Sequence, residues 1–316
     1  MSSRRILVTG ARGFVGSALM KRVVARGAVR SPVAEMSGQP ATVVGDIDAN
    51  TDWSAVLHGI EAVVHLAARV HLMRDRSADP LAEFRRVNVQ GTLNLAEQAA
   101  AAGVRRFVFL SSIKVNGEST PASRPFTADD EPAPLDPYAI SKHEAEQGLR
   151  RLAHRTGMEL VVIRPPLVYG PGVKANFRSM LGWLNKGIPL PFASVNNRRS
   201  MVALDNLVDL IATCLRHPRA PGRTWLVSDG EDLSTPELLR RAGHALGREA
   251  RLLACPPTAL LGMAALLGRA APVRRLCESL TVDISVTRRD LEWTQPSSVD
   301  AALLKTALEY LQPRLP

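Results

Sequence analysis

Tyr138 and Lys142 stand four residues apart, a spacing that on a helix puts both side chains on one face. Such a pair is suited to moving a proton. A free phenol titrates at about pH 10, too high for a good base near neutrality. A neighbouring ammonium favours the phenolate, so Tyr138 is expected to titrate lower than a free tyrosine. It could then take a proton from a hydroxyl group or return one to a ketone. Ser112 closes an apolar run, Phe107–Ser112, and is placed to hydrogen-bond the same reacting oxygen. The trio Ser112, Tyr138 and Lys142 therefore predicts redox chemistry at a carbon bearing oxygen, which requires a hydride partner.

That partner is indicated by Gly10-Ala11-Arg12-Gly13-Phe14-Val15-Gly16. The motif follows a short β-rich run ending at Thr9 and precedes a helically patterned stretch from Ser17, the strand–turn–helix context of a dinucleotide cradle. Gly10 permits the tight turn, Gly13 lets the backbone approach a pyrophosphate, and Gly16 lets helix and strand pack closely. The free N–H groups and dipole at the helix start, near Phe14 and Val15, favour the diphosphate. Lys142 would also hydrogen-bond the nicotinamide ribose, and an oxidised nicotinamide would add to the positive field on Tyr138.

The elements that must position these groups read as alternating strands and helices, which predicts an α/β fold: a doubly wound parallel sheet with a smaller mixed C-terminal domain. Strands are expected at Ala41–Asp46, Ala62–Ala68, Phe107–Ser112 and Leu160–Arg164. Ligands of such sheets lie at the carboxyl ends of the strands, so Asp46, Ile47, Ala67, Ala68 and Ser112 should share one rim, with Pro165 nearby. Strand two is placed at Val29–Val33. Glu35 is the nearest acidic residue that could hold the 2′-hydroxyl of NAD, whereas Arg12 suits the 2′-phosphate of NADP. NADP is favoured over NAD. Residues 1–168 are assigned to the dinucleotide-binding domain. Residues 169–316 are assigned mainly to a substrate domain, with a segment near 200–230 returning to the first.

With 316 residues the chain has ample material for such a core. Its net charge of +10 comes from scattered basic residues without a nucleic-acid motif, and is read as a field that draws in anionic ligands. Cys214, Cys255 and Cys277 have neither metal-type nor disulfide-type spacing, consistent with free thiols in a cytoplasmic protein. No metal site is expected. No stretch is long enough to span a membrane. Leu252–Leu267 is apolar, but Pro256 and Pro257 interrupt it and it lacks the divided faces of an interfacial helix. It is expected to pack inside the small domain.

The Gly-x-x-Gly-x-x-Gly spacing together with Tyr-x-x-x-Lys resembles the extended branch of the short-chain dehydrogenase/reductases, which includes nucleotide-sugar epimerases, dehydratases and reductases. The likeness extends to Asn88-Val89-Gln90-Gly91-Thr92, whose Asn is structural or water-ordering, and to Arg164-Pro165, Val168–Gly172 and Asp290-Leu291-Glu292-Trp293. It identifies Ser112, not Ser111, as the catalytic serine. It implies a UDP-sugar substrate contacted by Lys114, Asn176 and Arg199, the last as a diphosphate clamp, and a homodimer. The acid–base pair of sugar dehydratases is replaced by Ile113 and Lys114, which disfavours dehydration. Residues 112–118 and 126–132 look like reductases of UDP-4-keto-6-deoxy-hexosamines in surface-polysaccharide synthesis, whose product would be UDP-N-acetylquinovosamine. The alternative is a UDP-hexose or UDP-N-acetylhexosamine 4-epimerase that retains its NAD. A non-enzymatic dinucleotide-sensing regulator is a third reading, though such proteins commonly lose the Tyr or the Lys that this chain keeps.

Overall fold

The computed structural model describes residues 5–32, 38–70, 79–121, 123–266, 268 and 270–312. Its first half repeats strand and helix: β1 (Ile6–Thr9), α1 (Phe14–Arg22), β2 (Arg26–Val29), β3 (Ala41–Val43), α2 (Ser54–Leu57), β4 (Ala62–His65), α3 (Pro80–Arg85), α4 (Thr92–Ala101), β5 (Arg106–Leu110), α5 (Pro137–Thr156) and β6 (Glu159–Arg164). The second half contains β7 (Leu167–Tyr169), α6 (Ala175–Asn185), β8 (Met201–Ala203), α7 (Leu204–Arg216), β9 (Thr224–Leu226), α8 (Thr235–Ala245), α9 (Pro257–Leu266), α10 (Ala270–Cys277), α11 (Ser285–Asp290) and α12 (Val299–Leu311).

Seven strands form one parallel sheet in the order β3-β2-β1-β4-β5-β6-β9. Strands β1, β4 and β6 are apolar on nearly every residue because helices cover both faces. One face packs against α1 and α7 through Leu19, Leu207 and Ile211; the other packs against α4 and α5 through Leu95, Ala145 and Leu149. A third core joins α6, α8 and α12 around Phe177, Leu239 and Leu303. The strand order reverses beside β1, which opens the crevice at the carboxyl ends of β1 and β4.

Strand two does not lie at Val29–Val33. It ends at Val29, and Arg30 follows. Pro32 has no N–H to give a ladder inside the sheet, which explains why pairing stops before it. Glu35 lies outside the described residues.

The apolar reading of Leu252–Leu267 also changes. Only Leu260 and Ala264 of α9 are buried, and the helix lies largely at the surface. The Asp290–Trp293 segment holds Glu292 in the left-handed region at φ 50°, while Trp293 is buried and donates its indole N–H to Asp209 at 3.0 Å.

Gly10 turns the chain at φ 65°, and a β-carbon there would stand 2.7 Å from the Ala67 nitrogen. Gly16 faces the Gly10 carbonyl so closely that a β-carbon would collide with it, and both partners are backbone. Gly16→Ala should therefore destabilise the protein by about 1–3 kcal/mol, the usual cost of overpacking a rigid site. Urea unfolding with an unchanged midpoint would show that the loop yields freely.

Candidate active site

The site is built where β5 ends and α5 begins. Two serines follow β5 and point to different environments. Ser111 is buried and donates its hydroxyl to Glu146 Oε1 at 2.5 Å. Ser112 stays half-buried at the rim, where its Oγ accepts from the Lys114 N–H at 3.3 Å and starts a single 3₁₀ turn, Ile113–Val115.

Helix α5 starts as its sequence dictates. Asp136 accepts from the Ala139 N–H at 2.7 Å, and Pro137 occupies the first helical position. Tyr138 lies in the first turn with its ring edge-on to Phe84. Lys142, one turn on, is buried with its ammonium 4.1 Å from the centre of the Phe109 ring. The helix thus sets Lys142 against Phe109 of β5, three residues before Ser112.

The electrostatics differ from the expectation in one respect. Burial, and secondarily the Asp136 carboxylate, push the Tyr138 phenol above its ordinary value rather than below it. Burial pulls Lys142 down to about 7, and nearby Glu146 opposes that shift. Lys142 is thus poised to lose its own charge, so the two groups alone do not make a phenolate. The positive charge of an oxidised nicotinamide is what would bring the phenol down.

Beneath these groups lies a buried polar cluster. Arg164 of β6 donates to both oxygens of Glu146, at 2.9 and 2.6 Å, and to Asn116 Oδ1 at 2.9 Å. Asn116 turns inward and also donates to the Thr127 carbonyl. A second buried string joins Thr9 to His65 Nδ1 at 2.7 Å and His65 Nε2 to Thr92 at 2.9 Å. Thr9 also accepts from the Ala67 N–H, which ties the ends of β1 and β4 together beside Gly10. Burial, and secondarily Lys142, pull His65 down to about 3.

The cradle fits a dinucleotide. Gly10 and Gly16 let the loop close on bare backbone, for a β-carbon at Gly10 would strike Ala67 and one at Gly16 the Gly10 carbonyl. Exposed Gly13 caps α1 with extended backbone at φ −71°, so the missing side chain, not an unusual φ, is what leaves this face of the loop bare. Arg12 is exposed in the loop, half-buried Phe14 and Val15 open the helix, and Ala67, Ala68 and Ile47 are half-buried along the crevice. Pro165 is buried, and its carbonyl accepts from the Ile113 N–H at 3.0 Å. Asp46 is exposed and pairs with Arg30 at 2.8 Å. Among the described residues no group of three or more His, Cys, Asp or Glu is placed to hold a metal ion.

The three residues expected at the substrate are differently employed. Lys114 is ion-paired with Asp136 and, at 3.4 Å, with Glu118. Glu118 also lies 3.6 Å from Arg275. Arg199 Nη1 donates to the carbonyls of Arg275 and Glu278, at 2.7 and 2.9 Å, at the end of α10. A run of ion pairs therefore leads from the turn after Ser112 to Arg275, whose backbone carbonyl accepts from Arg199. Asn176 is exposed in the first turn of α6, just after Ala175, which adopts φ 51°.

Three contributors were not picked out from the sequence: Asp136, Glu146 and His65. Asp136 had a legible signal, an N-cap Asp followed by Pro. Glu146 sits one turn beyond Lys142 on the same face. His65 carried none, because its role depends on contacts with Thr9 and Thr92, far away in the chain.

A parallel sheet, a glycine cradle at its switch point, and Ser, Tyr and Lys on the facing edge define the extended class of short-chain dehydrogenase/reductases. Residues 6–228 match the model of the NAD dependent epimerase/dehydratase family, and the chain belongs to that family. It is 46% identical over 316 residues to a UDP-glucose 4-epimerase of Vibrio cholerae, covering 98% of this chain and 96% of that protein. The structure of a UDP-N-acetylglucosamine 4-epimerase from Bacillus cereus superposes with a TM-score of 0.80 at 21% identity, covering 99% of each chain. MoeE5 in complex with UDP-glucuronic acid and NAD superposes at 0.76 with 25% identity, over 96% of this chain and 98% of that one.

The buried cations give a sign to the pH dependence of stability. Between about pH 3 and 6.5 the unfolded chain binds a proton at His65 that the folded chain refuses, and between about 7 and 10.5 the same holds at Lys142. The unfolded state holds more protons in both windows, so stability rises with pH through each and falls on acidification. His65→Gln should flatten the lower part of a plot of melting temperature against pH. An unchanged slope would assign that acid sensitivity to other groups.

Proposed function

We propose that this protein is a UDP-hexose or UDP-N-acetylhexosamine 4-epimerase that retains NAD through its cycle. The observation that carries the reading is the trio Ser112, Tyr138 and Lys142 on the crevice, with no acid–base pair after Ser112. Ile113 is buried and Lys114 is engaged with Asp136, so the turn offers hydroxyl–ketone chemistry without the groups for elimination. The near full-length similarity to a UDP-glucose 4-epimerase supports epimerisation over net reduction.

NAD, when bound, would supply the acceptor for hydride from the sugar carbon and the donor for its return. Gly10, Gly13 and Gly16 would admit its diphosphate at the start of α1. Tyr138 Oη would take the proton of the sugar hydroxyl and give it back to the ketone. Ser112 Oγ would hold that oxygen in line. Lys142 would supply positive charge under the phenol. Arg199 would hold the substrate diphosphate, with Asn176 and Lys114 at the margin of the same site.

A second reading, NADPH-dependent reduction of a UDP-4-keto-6-deoxy-hexosamine, is favoured by Arg30. It stands directly after β2 where NAD users place an acid, and with Arg12 it could meet a 2′-phosphate. The two readings separate in one experiment. The purified protein should release NAD on denaturation and interconvert UDP-glucose and UDP-galactose, or their N-acetyl forms, without added cofactor. Turnover only of a 4-keto sugar, with stoichiometric consumption of NADPH, would establish the reductase instead.

Tyr138→Phe keeps the ring and removes the transferable proton. It should lower turnover by about 10²–10⁴-fold while NAD stays bound. Near wild-type turnover would remove Tyr138 from the mechanism. Arg199→Lys should raise KM about tenfold with a smaller change in kcat, because diphosphate binding is common to ground and transition states. Equal effects from Arg198→Ala, at an exposed neighbour, would argue for a general field instead.

A further inference from the structure

Helix α9 is apolar all round: of its ten residues only Thr258 carries a polar side chain. A helix of that kind is normally enclosed by protein or by lipid. In this one only Leu260 and Ala264 are buried, Leu260 within the core shared by α6, α8 and α12. Leu266 is 90% exposed, Met263 51%, and Leu253 on the approach to the helix 56%. The patch continues onto a neighbouring strand-like segment. Leu253 exchanges backbone hydrogen bonds with Leu190 and Ala193, and exposed Ile188 lies two residues before Leu190. The Ile188 N–H in turn donates to the carbonyl of exposed Trp183 at the end of α6.

The segment that carries this patch is basic in sequence. Residues 250–277 contain four arginines, Arg251, Arg269, Arg274 and Arg275, and no acidic residue; Glu249 and Glu278 bracket the segment. Arg251 is exposed, and the side chain of Arg274 is 63% exposed with Glu278 3.8 Å from it. Exposed apolar side chains flanked by arginines match the chemistry of an anionic bilayer surface, with hydrocarbon below and phosphate at the rim. A two-fold contact with a second copy would set the same arginines against each other. At ten residues α9 is about 15 Å long, half the thickness of a hydrocarbon core, so it can lie on a membrane but not cross it.

We infer that α9, with Leu253, Ile188 and Trp183 beside it, is a docking surface for an anionic phospholipid membrane. The placement has a use. The far end of the same helical pair, α10, supplies the carbonyls that Arg199 grips and the Arg275 side chain that faces Glu118. The protein would thus rest on the bilayer close to the edge of its own sugar-nucleotide site.

The test is flotation of the full chain with vesicles of phosphatidylcholine alone and of phosphatidylcholine mixed with phosphatidylglycerol. Wild type should float with the mixed vesicles, less so as salt is raised, and poorly with the neutral ones. Met263→Gln with Leu266→Gln, at side chains that are exposed, should weaken partitioning about tenfold or more. Turnover of UDP-hexose in free solution should be unaffected, which separates this inference from the assignment of the reaction. Failure of wild type to float with anionic vesicles at low salt would overturn the proposal. So would equal flotation of the double variant, or a protein dimer that the same two substitutions dissociate while flotation is absent.

Discussion

The geometry of the site depends on one buried ion pair, Glu146 with Arg164. Both side chains are almost fully removed from water, and neither charge could remain there alone, because an unpaired buried ion costs several kcal/mol. The pair is held by forked hydrogen bonds, and its members come from α5 and β6. Ser111 on the β5 side and Asn116 beyond the 3₁₀ turn complete it. Every element that carries a reacting group is therefore fastened to the same two charges. Ser112 is fixed because Ser111 is; Tyr138 and Lys142 are fixed because the helix that bears them is anchored one turn further along. Such a cluster stabilises little in total, since desolvation offsets most of the attraction, but it allows only one arrangement of these four segments.

The same burial sets the proton chemistry. The phenol of Tyr138 holds its proton, and Lys142 is brought close to losing its own. A site that kept a permanent phenolate would be charged when no redox partner was present. Here burial and Asp136 both oppose a negative charge on Tyr138. The Lys114–Asp136 pair matters in this respect: Asp136 opposes ionisation of Tyr138, and the ammonium of Lys114 offsets that carboxylate.

Much of this architecture was legible in the chain because parallel strands buried on both faces leave dense apolar runs, and because helix starts and glycine turns use few residue types. The parallel sheet and the family follow from those signals. The second strand was not legible: Arg26-Gly27-Ala28-Val29 is short and contains a glycine and a charge, so no apolar run marks its bounds. The proton affinity of Tyr138 could not be read either, since it depends on burial and on Asp136. The same is true of the surface position of α9, whose composition is that of a core helix. What spacing encodes is which groups share a face; what it omits is the medium around them.

Asn88 illustrates how much a single amide can do in this fold. It lies in a π-helical stretch, Arg86–Gly91, that widens the helix between α3 and α4 and brings the side chain inward. Its oxygen accepts from the Arg69 N–H at 2.8 Å and its nitrogen donates to the Arg69 carbonyl at 3.0 Å. It meets that residue on both counts, as a neighbouring strand would. The same nitrogen donates to Ser141, whose hydroxyl donates to the Tyr138 carbonyl. The side chain is in effect a surrogate peptide group, extending backbone-type pairing from the loop after β4 across to the helix that bears the phenol. Only an amide of this length can play that part: a carboxylate would set one lone pair against another at Arg69, and a longer glutamine would overshoot it. The chemistry of the crevice thus rests on a hydrogen-bonding pattern borrowed from the backbone and carried by a side chain.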